Sequence, residues 1–345
     1  MKNIWKISGI SIAFGLVLML VGFLLGANRH IYADSSGFHL VDNKNEAHSI
    51  IEHNMNSFKD IDINSDYSDI ELIKSNNYGI EINYGSDVLP TWSLENGKLS
   101  IDYKNIASSQ NYFRFFNLDL SFINSVKNVI KIYYPESAFL NDCSIKSSSG
   151  TINIDSLSVQ NLNIINDYGD FSISNSKING LDLTMSSGDL KLESTSIQNV
   201  NIKNSYGDIS IDNSNINGLD LTMSSGDLIL NSCQIQSADV KNSYGNINGD
   251  SITSSKINVT SSSGNVVLNG NLSGNTQIQS DYGDVTLNLS KSEDAYAYDI
   301  STKFGNVIFD GTKESDSSIK KTDASSSNNL NISAQSGNIR VNFKK

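Results

Sequence analysis

The thirteen residues INGLDLTMSSGDL at 178–190 return unchanged at 216–228, which is 38 positions later. A shorter period underlies this echo, because a glycine that follows Ser or Tyr recurs at every nineteenth position. The glycines of the series are Gly150, Gly169, Gly188, Gly207, Gly226, Gly245, Gly264 and Gly283, and Gly305 and Gly337 extend it with gaps of 22 and 32. Ser and Tyr alternate before the first eight, so the repeating unit is the interval from one glycine to the next, and it occurs in two versions.

Apolar residues within each unit alternate with polar ones, which predicts short strands with one buried face. The second and fourth residues after each glycine are apolar, as in Ile209 and Ile211. A second strand has apolar residues twelve and fourteen after the glycine, as in Val200 and Ile202, and another apolar residue lies nine after it. Asn, Ser, Asp and Gly occupy the positions between the strands, where they favour turns.

One unit of this size buries too little apolar surface to fold alone, so the units must stack with equivalent positions in register. The sequence therefore predicts an all-β fold, a parallel β-solenoid (β-helix) of 19-residue rungs. About ten rungs, each roughly 4.8 Å from the next, are expected. An antiparallel sandwich is the alternative, although its reversing strands explain a constant spacing poorly.

The repeats predict several regions after the amino-terminal segment. Regular rungs occupy 149–345 and less regular first rungs occupy 58–148, where Tyr67 and Ser68 take the places of Tyr and Gly. An aromatic insertion in the first rungs is expected to cap the open end, or alternatively to bind a membrane or ligand; it contains Tyr112, Phe113, Phe115, Phe116 and Phe122. The stretch 311–329 is predicted to be a polar loop inserted in a rung, and the charged last strand is expected to blunt an exposed edge.

The amino-terminal stretch 7–27 contains no charged side chain and is long enough to cross a bilayer. Lys2 and Lys6 precede this run, and the rest of the chain is acidic overall. The positive-inside rule then predicts a single-pass cell-membrane protein with residues 1–6 in the cytoplasm, a transmembrane helix at 7–27, a polar stalk at 28–57 and an extracytoplasmic β domain. A cleaved signal peptide is the alternative.

The composition argues against a nucleic-acid-binding protein, because the net charge is −12 and arginine occurs only at positions 29, 114 and 340. Cys143 and Cys233 lie in different rungs and are expected to be buried thiols that cannot reach each other. No residue pattern indicates a cofactor.

Two outward columns are candidate binding sites. The residue after the glycine is often acidic and could hold calcium, although a turn residue that bonds the backbone explains it as well. These weak calcium candidates are Asp170, Asp189, Asp208 and Asp227. The tyrosines before the glycine are a possible sugar-binding strip, although packing of each ring over small neighbours is the favoured interpretation. They are Tyr168, Tyr206, Tyr244 and Tyr282.

The short strands headed by SGDL, YGDI and SGNV follow the stretch IKIYYPESAFLNDCSIKSSSGTINI, at 130–154, and an amino-terminal membrane segment. In these features the chain resembles, over residues 58–345, the bacterial "putative adhesin" family (domain of unknown function 4097, a GDI/GDL β-strand repeat protein). The resemblance implies a surface β-repeat protein and supplies no catalytic residues. Some relatives accompany envelope-stress regulators.

Together the residues and the resemblance predict a membrane-anchored extracytoplasmic protein that binds without catalysis, as an adhesin-like surface module. Its expected partners are the membrane, through 7–27, and an envelope polymer or another surface protein. An envelope-stress sensor or scaffold of a membrane regulatory system is the alternative. A polysaccharide-active enzyme is less favoured, since the regular rungs contain no histidine and their carboxylates form no unique cluster.

Overall fold

The computed structural model describes residues 14–15, 17–18, 29–34, 37–42, 47–85, 88–105, 113–114, 126–323 and 326–344. The chain forms two compact units. The first contains residues 1–48, 84–89 and 105–127, and the second contains residues 49–83, 90–104 and 128–345.

The described residues contain thirty strands, a short 3-10 helix, Glu293–Ala295, and helical residues at 14–15 and 17–18. The first ten strands are β1 (Arg29–Asp34), β2 (Gly37–Asp42), β3 (His48–His53), β4 (Asp60–Tyr67), β5 (Asp69–Ser75), β6 (Gly79–Tyr84), β7 (Val88–Glu95), β8 (Lys98–Asn105), β9 (Phe113–Arg114) and β10 (Val129–Pro135). The next twelve are β11 (Leu140–Ser149), β12 (Ile152–Asp155), β13 (Ser158–Tyr168), β14 (Phe171–Ser174), β15 (Lys177–Ser187), β16 (Leu190–Glu193), β17 (Ser196–Tyr206), β18 (Ile209–Asp212), β19 (Asn215–Ser225), β20 (Leu228–Asn231), β21 (Gln234–Tyr244) and β22 (Ile247–Ser263). The last eight are β23 (Val266–Tyr282), β24 (Val285–Leu289), β25 (Ala297–Phe304), β26 (Val307–Phe309), β27 (Thr312–Lys313), β28 (Ser318–Lys321), β29 (Asn329–Ser336) and β30 (Ile339–Asn342).

In the first unit, β1 pairs antiparallel with β2 and with β9. The segment 28–57, expected to be a stalk, contains β1, β2 and β3. Most of the predicted transmembrane helix, 7–27, lies outside the described residues, although residues 14–15 and 17–18 are helical. Within the described residues no helix is both long and apolar enough to span a bilayer. Four of the five aromatic residues of the predicted cap also lie outside the described residues, and only the backbone of Phe113 is described.

The regular rung of the second unit consists of a strand of eleven residues and a strand of four, as in β15 and β16. Equivalent strands of successive rungs pair in parallel with the equivalent positions of consecutive repeats aligned, so that Leu183, Ile202 and Leu221 are neighbours in one column. These parallel pairings confirm the β-solenoid and exclude the antiparallel sandwich. The second predicted strand is longer than expected because it continues to the residue before the glycine.

The core of the solenoid consists of the apolar columns that the alternation predicts. Ile202 and Leu221 are fully buried, as are the fourth-position residues Leu192 and Ile211. Asn201 and Lys203, on either side of Ile202, are exposed. Stacking therefore encloses each aliphatic side chain between its equivalents above and below, which supplies the burial that a single rung lacks.

The first rungs are stacked in an order that differs from the order of the chain. Strand β4 pairs in parallel with β11 on one side and with β8 on the other. Tyr67 is thereby aligned with Ser149, and a Cβ at Gly150 would overlap the carbonyl oxygen of Ser68. The positions predicted for Tyr67 and Ser68 are confirmed.

The carboxyl-terminal rungs also depart from chain order, and here the sequence-based expectation was wrong. Strand β29 lies between β23 and β25, and β30 lies between β24 and β26. The rung of Gly337 is thus inserted between those of Gly283 and Gly305. The last strand is therefore internal and does not blunt an exposed edge.

The segment 311–329, predicted to be a polar loop, contains two short strands instead. Strand β28 pairs antiparallel with β25, and β27 pairs antiparallel with β26. These strands bond to the backbone edge of the outermost rung, which would otherwise present unpaired N–H and C=O groups to solvent.

Candidate binding surface

The corner glycine of the regular rungs forms a tight turn in which a side chain would be strained. Gly207 has φ +127°, in the region that favours glycine, and a Cβ there would overlap the carbonyl oxygen of Gly188 in the preceding rung. Nine of the ten predicted turn glycines have positive φ. They are Gly150, Gly169, Gly188, Gly207, Gly226, Gly245, Gly264, Gly283 and Gly337. Gly305 lacks the positive φ, but a Cβ there would overlap the carbonyl oxygen of Gly337.

The Asp column after the glycine forms a ladder of hydrogen bonds along the solenoid. The backbone N–H of Asp208 donates to Oδ1 of Asp189 over 2.8 Å, and the N–H of Asp227 donates to Oδ1 of Asp208 over 2.8 Å. Asn does the same where it replaces Asp, since the N–H of Asn265 donates to Oδ1 of Asn246. One carboxylate oxygen of each calcium candidate thus accepts a hydrogen bond from a backbone N–H of the neighbouring rung. No three His, Cys, Asp or Glu side chains of the described residues are grouped to hold a metal ion.

The residue before the glycine points out of each corner. Five of these residues are aromatic, and Tyr67 takes the same place before Ser68. Together they form what we call the aromatic strip: Tyr67, Tyr168, Tyr206, Tyr244, Tyr282 and Phe304. Their exposed fractions lie between 57% for Tyr67 and 66% for Tyr244. Less than half of each of these residues is therefore covered within the solenoid, and the larger part is accessible to a ligand.

Aromatic residues and serines alternate through eleven rungs of the solenoid. Register places Ser187 between Tyr168 and Tyr206. The same order holds where the chain is irregular, because Ser336 of the inserted rung lies between Tyr282 and Phe304. In chain order Phe304 follows Tyr282 directly and the alternation would fail. The strip is therefore regular in space although the chain that builds it is not.

A buried asparagine in three of the tyrosine rungs holds the corner, and sequence reasoning missed it. The Nδ2 of Asn166 donates to the carbonyl of Gly169 over 2.8 Å, and Asn204 bonds Gly207 in the same way. Asn242 bonds the carbonyl of Gly226. The equivalent buried residue of the serine rungs between them is methionine, at 185 and 223. The sequence contained a signal for this residue, because Asn and Met alternate at the position three residues before the corner glycine.

Neither cysteine has the character of a nucleophile. Cys143 and Cys233 are buried free thiols. Burial raises the pKa of the Cys143 thiol to about 12, and burial also raises the pKa of Cys233. Both thiols therefore remain protonated near neutral pH.

The sequence profile of the family described as Toastrack DUF4097 matches residues 58–248 and 225–342. No curated protein matches the sequence.

Three solved structures of bacterial proteins are similar to this chain over most of its length. A putative adhesin from Parabacteroides merdae ATCC 43184 is 11% identical, with 88% of this chain and 98% of that chain covered and a TM-score of 0.46. A putative adhesin from Parabacteroides distasonis ATCC 8503 is 9% identical, with 87% and 98% covered and a TM-score of 0.42. A putative lipid binding protein from the same organism is 15% identical, with 88% and 98% covered and a TM-score of 0.39.

Proposed function

The chain belongs to the Toastrack DUF4097 family, and we propose that it is a membrane-anchored, extracytoplasmic binding protein that acts without catalysis. Its ligand is an extended envelope polymer that lies along the aromatic strip. The solenoid presents the strip, and the apolar segment 7–27 anchors the chain in the membrane.

The observation that carries the proposal is the exposure of aromatic side chains at regular intervals. Each tyrosine of the strip could be a serine without loss of register, since serine occupies the same place in the neighbouring rungs. Rings of which more than half is exposed contribute little burial to the free solenoid, whereas a bound ligand would cover them. The strip also runs along the stack, which suits a long ligand better than a small molecule.

Membrane anchoring is supported by the uncharged length of 7–27 and by the lysines that precede it. Cell fractionation and amino-terminal sequencing test this part. We expect the protein in the membrane fraction with its amino terminus intact. A released protein that begins after Ala27 or Ala33 would contradict the anchor.

Binding is tested with the full chain in lipid nanodiscs and with protein-free cell-wall sacculi as the probe. The strip variant carries Tyr168→Ser, Tyr206→Ser and Tyr244→Ser. The control variant carries Ile165→Thr, Lys203→Thr and Lys241→Thr; these exposed residues lie three positions earlier in the same rungs, and threonine occupies their column in the rungs between. We expect cosedimentation with sacculi to be lost in the strip variant alone. Equal binding of both variants would show that the strip is not the binding surface.

A further inference from the structure

The aromatic strip has a fixed period along the solenoid. Its rings recur at every second rung, which corresponds to about 9.4–9.8 Å. Ten rung steps separate Tyr67 from Phe304, so the strip is roughly 47–49 Å long. A ligand that contacts every ring must itself be extended and must repeat at this interval.

Polysaccharides with β-1,4 linkages meet this requirement. Successive pyranose rings in such a chain are turned by about half a revolution, so the same ring face recurs at every second sugar. One disaccharide unit is slightly longer than two rungs, which span about 9.4–9.8 Å. Aromatic side chains contact the apolar faces of pyranose rings, where C–H groups meet the negative face of the π-system. An α-1,4-linked chain coils and does not present the same ring face at every second sugar along an extended line.

The charges beside the strip indicate a neutral polymer. Asp170, Asp208 and Asp284 directly follow the corner glycines of tyrosine rungs, and Asp167 and Asp281 directly precede two of the tyrosines. Carboxylates therefore outnumber ammonium groups directly beside the strip, where Lys303, with its Nζ 5.4 Å from the centre of the Phe304 ring, is the basic residue. The chain as a whole has a net charge of −12. Carboxylates in these places would repel an anionic polymer but can accept hydrogen bonds from sugar hydroxyls. A second copy of this chain is disfavoured for the same reason, because two acidic corners would face each other.

We propose that the aromatic strip binds a single extended chain of a neutral β-1,4-linked polysaccharide, with one ring under each disaccharide unit. This inference rests on the proposed function and specifies its ligand. The serines between the rings leave room for the sugar that turns its other face, and their hydroxyls can bond to it.

The experiment uses the full chain in nanodiscs and isothermal titration with β-1,4-linked glucose oligomers of two, four and six units. Affinity is expected to rise at each added disaccharide, because each engages a further ring. Tyr206→Ser is expected to weaken binding of the hexamer roughly three- to tenfold, whereas Tyr206→Phe should retain it. Lys203→Thr, in the same rung, should bind as the unchanged protein does.

The α-1,4-linked glucose hexamer distinguishes the two proposals. No binding of this oligomer is expected. If both hexamers bind with equal affinity and the strip variant binds neither, the inference that the ligand repeats at the interval of the rings is overturned. The proposed function would then still stand. Failure of both hexamers to bind would overturn the inference, and the sacculus experiment would then decide the proposed function separately. Sedimentation velocity that shows self-association lost in the strip variant would assign the strip to a second copy and overturn the inference as well.

Discussion

Substitution of Gly207 by alanine tests the tight corner on which the aromatic strip depends. At φ +127° an L-residue is strained by roughly 1–3 kcal/mol. The added Cβ would also lie 2.6 Å from the carbonyl carbon of Gly188, so the stacked backbone must move apart. That movement weakens adjacent hydrogen bonds between rungs, such as Gly188 N–H to the Tyr206 carbonyl at 3.0 Å.

Each bond contributes about 0.5–1.5 kcal/mol to stability, so the weakening of two bonds together with the strain gives a loss of roughly 2–6 kcal/mol. The assay is urea unfolding of the full chain in nanodiscs, followed by the β-sheet signal in circular dichroism. With a urea dependence of about 3 kcal/mol per molar, the midpoint should fall by roughly 0.7–2 M.

Gly218→Ala is the control, because Gly218 lies in a neighbouring rung and has no positive φ. A Cβ there would be 3.3 Å from Oδ1 of Asn199, which is the end of a flexible side chain. This change should be neutral or stabilise the protein by up to about 1 kcal/mol, since alanine restricts the unfolded chain. Similar midpoints for the two variants would refute the argument that stacking requires glycine at the corner.

Three further predictions concern the stack. Ile202→Asp should lower the free energy of unfolding by several kcal/mol, because it leaves an unpaired carboxylate in the core, whereas Lys203→Asp should change it by less than about 0.5 kcal/mol. Equal urea midpoints for the two variants would disprove that residue 202 faces inward and residue 203 outward. Termination after Asp310 removes the rung inserted between β23 and β25, so the melting temperature should fall sharply, and an unchanged value would contradict the inserted position. Millimolar calcium should leave the melting temperature unchanged, because one oxygen of each ladder carboxylate already accepts a backbone N–H; a rise would show that the Asp column binds the ion.

The length of the rung and the inward or outward direction of its side chains were predictable from the sequence, because both depend on local patterns that recur in every unit. A period of two within each strand places Ile202 inward and Lys203 outward, and the constant spacing of the glycines stacks equivalent positions. A repeat of this kind needs no knowledge of distant pairing, since each strand pairs with the equivalent strand of the next unit.

The order of the terminal rungs was not predictable from spacing, because a gap in the repeat does not indicate which strands become neighbours. One signal was available: Phe304 follows Tyr282 without a serine rung between them, and Ser336 restores the alternation only if its rung is inserted. The exposure of the tyrosines also could not be deduced, since outward rings can lie flat against their neighbours or extend into solvent.

The alternation of the aromatic strip is not a consequence of packing in the core. Beneath the strip, Asn and Met alternate in the buried column through only five rungs, from Asn166 to Asn242. The same column contains small residues in the remaining rungs: Ser65, Ser147, Ser261, Ser280, Ala334 and Thr302.

On the outer surface, at the residue before each corner, aromatic residues and serines nevertheless alternate through all eleven rungs, including the inserted rung. If internal packing required two kinds of rung, the outer pattern would end where the inner pattern ends. Since it continues from Tyr67 to Phe304, its cause must lie on the solvent side of the corner, where a ligand of matching period would make contact.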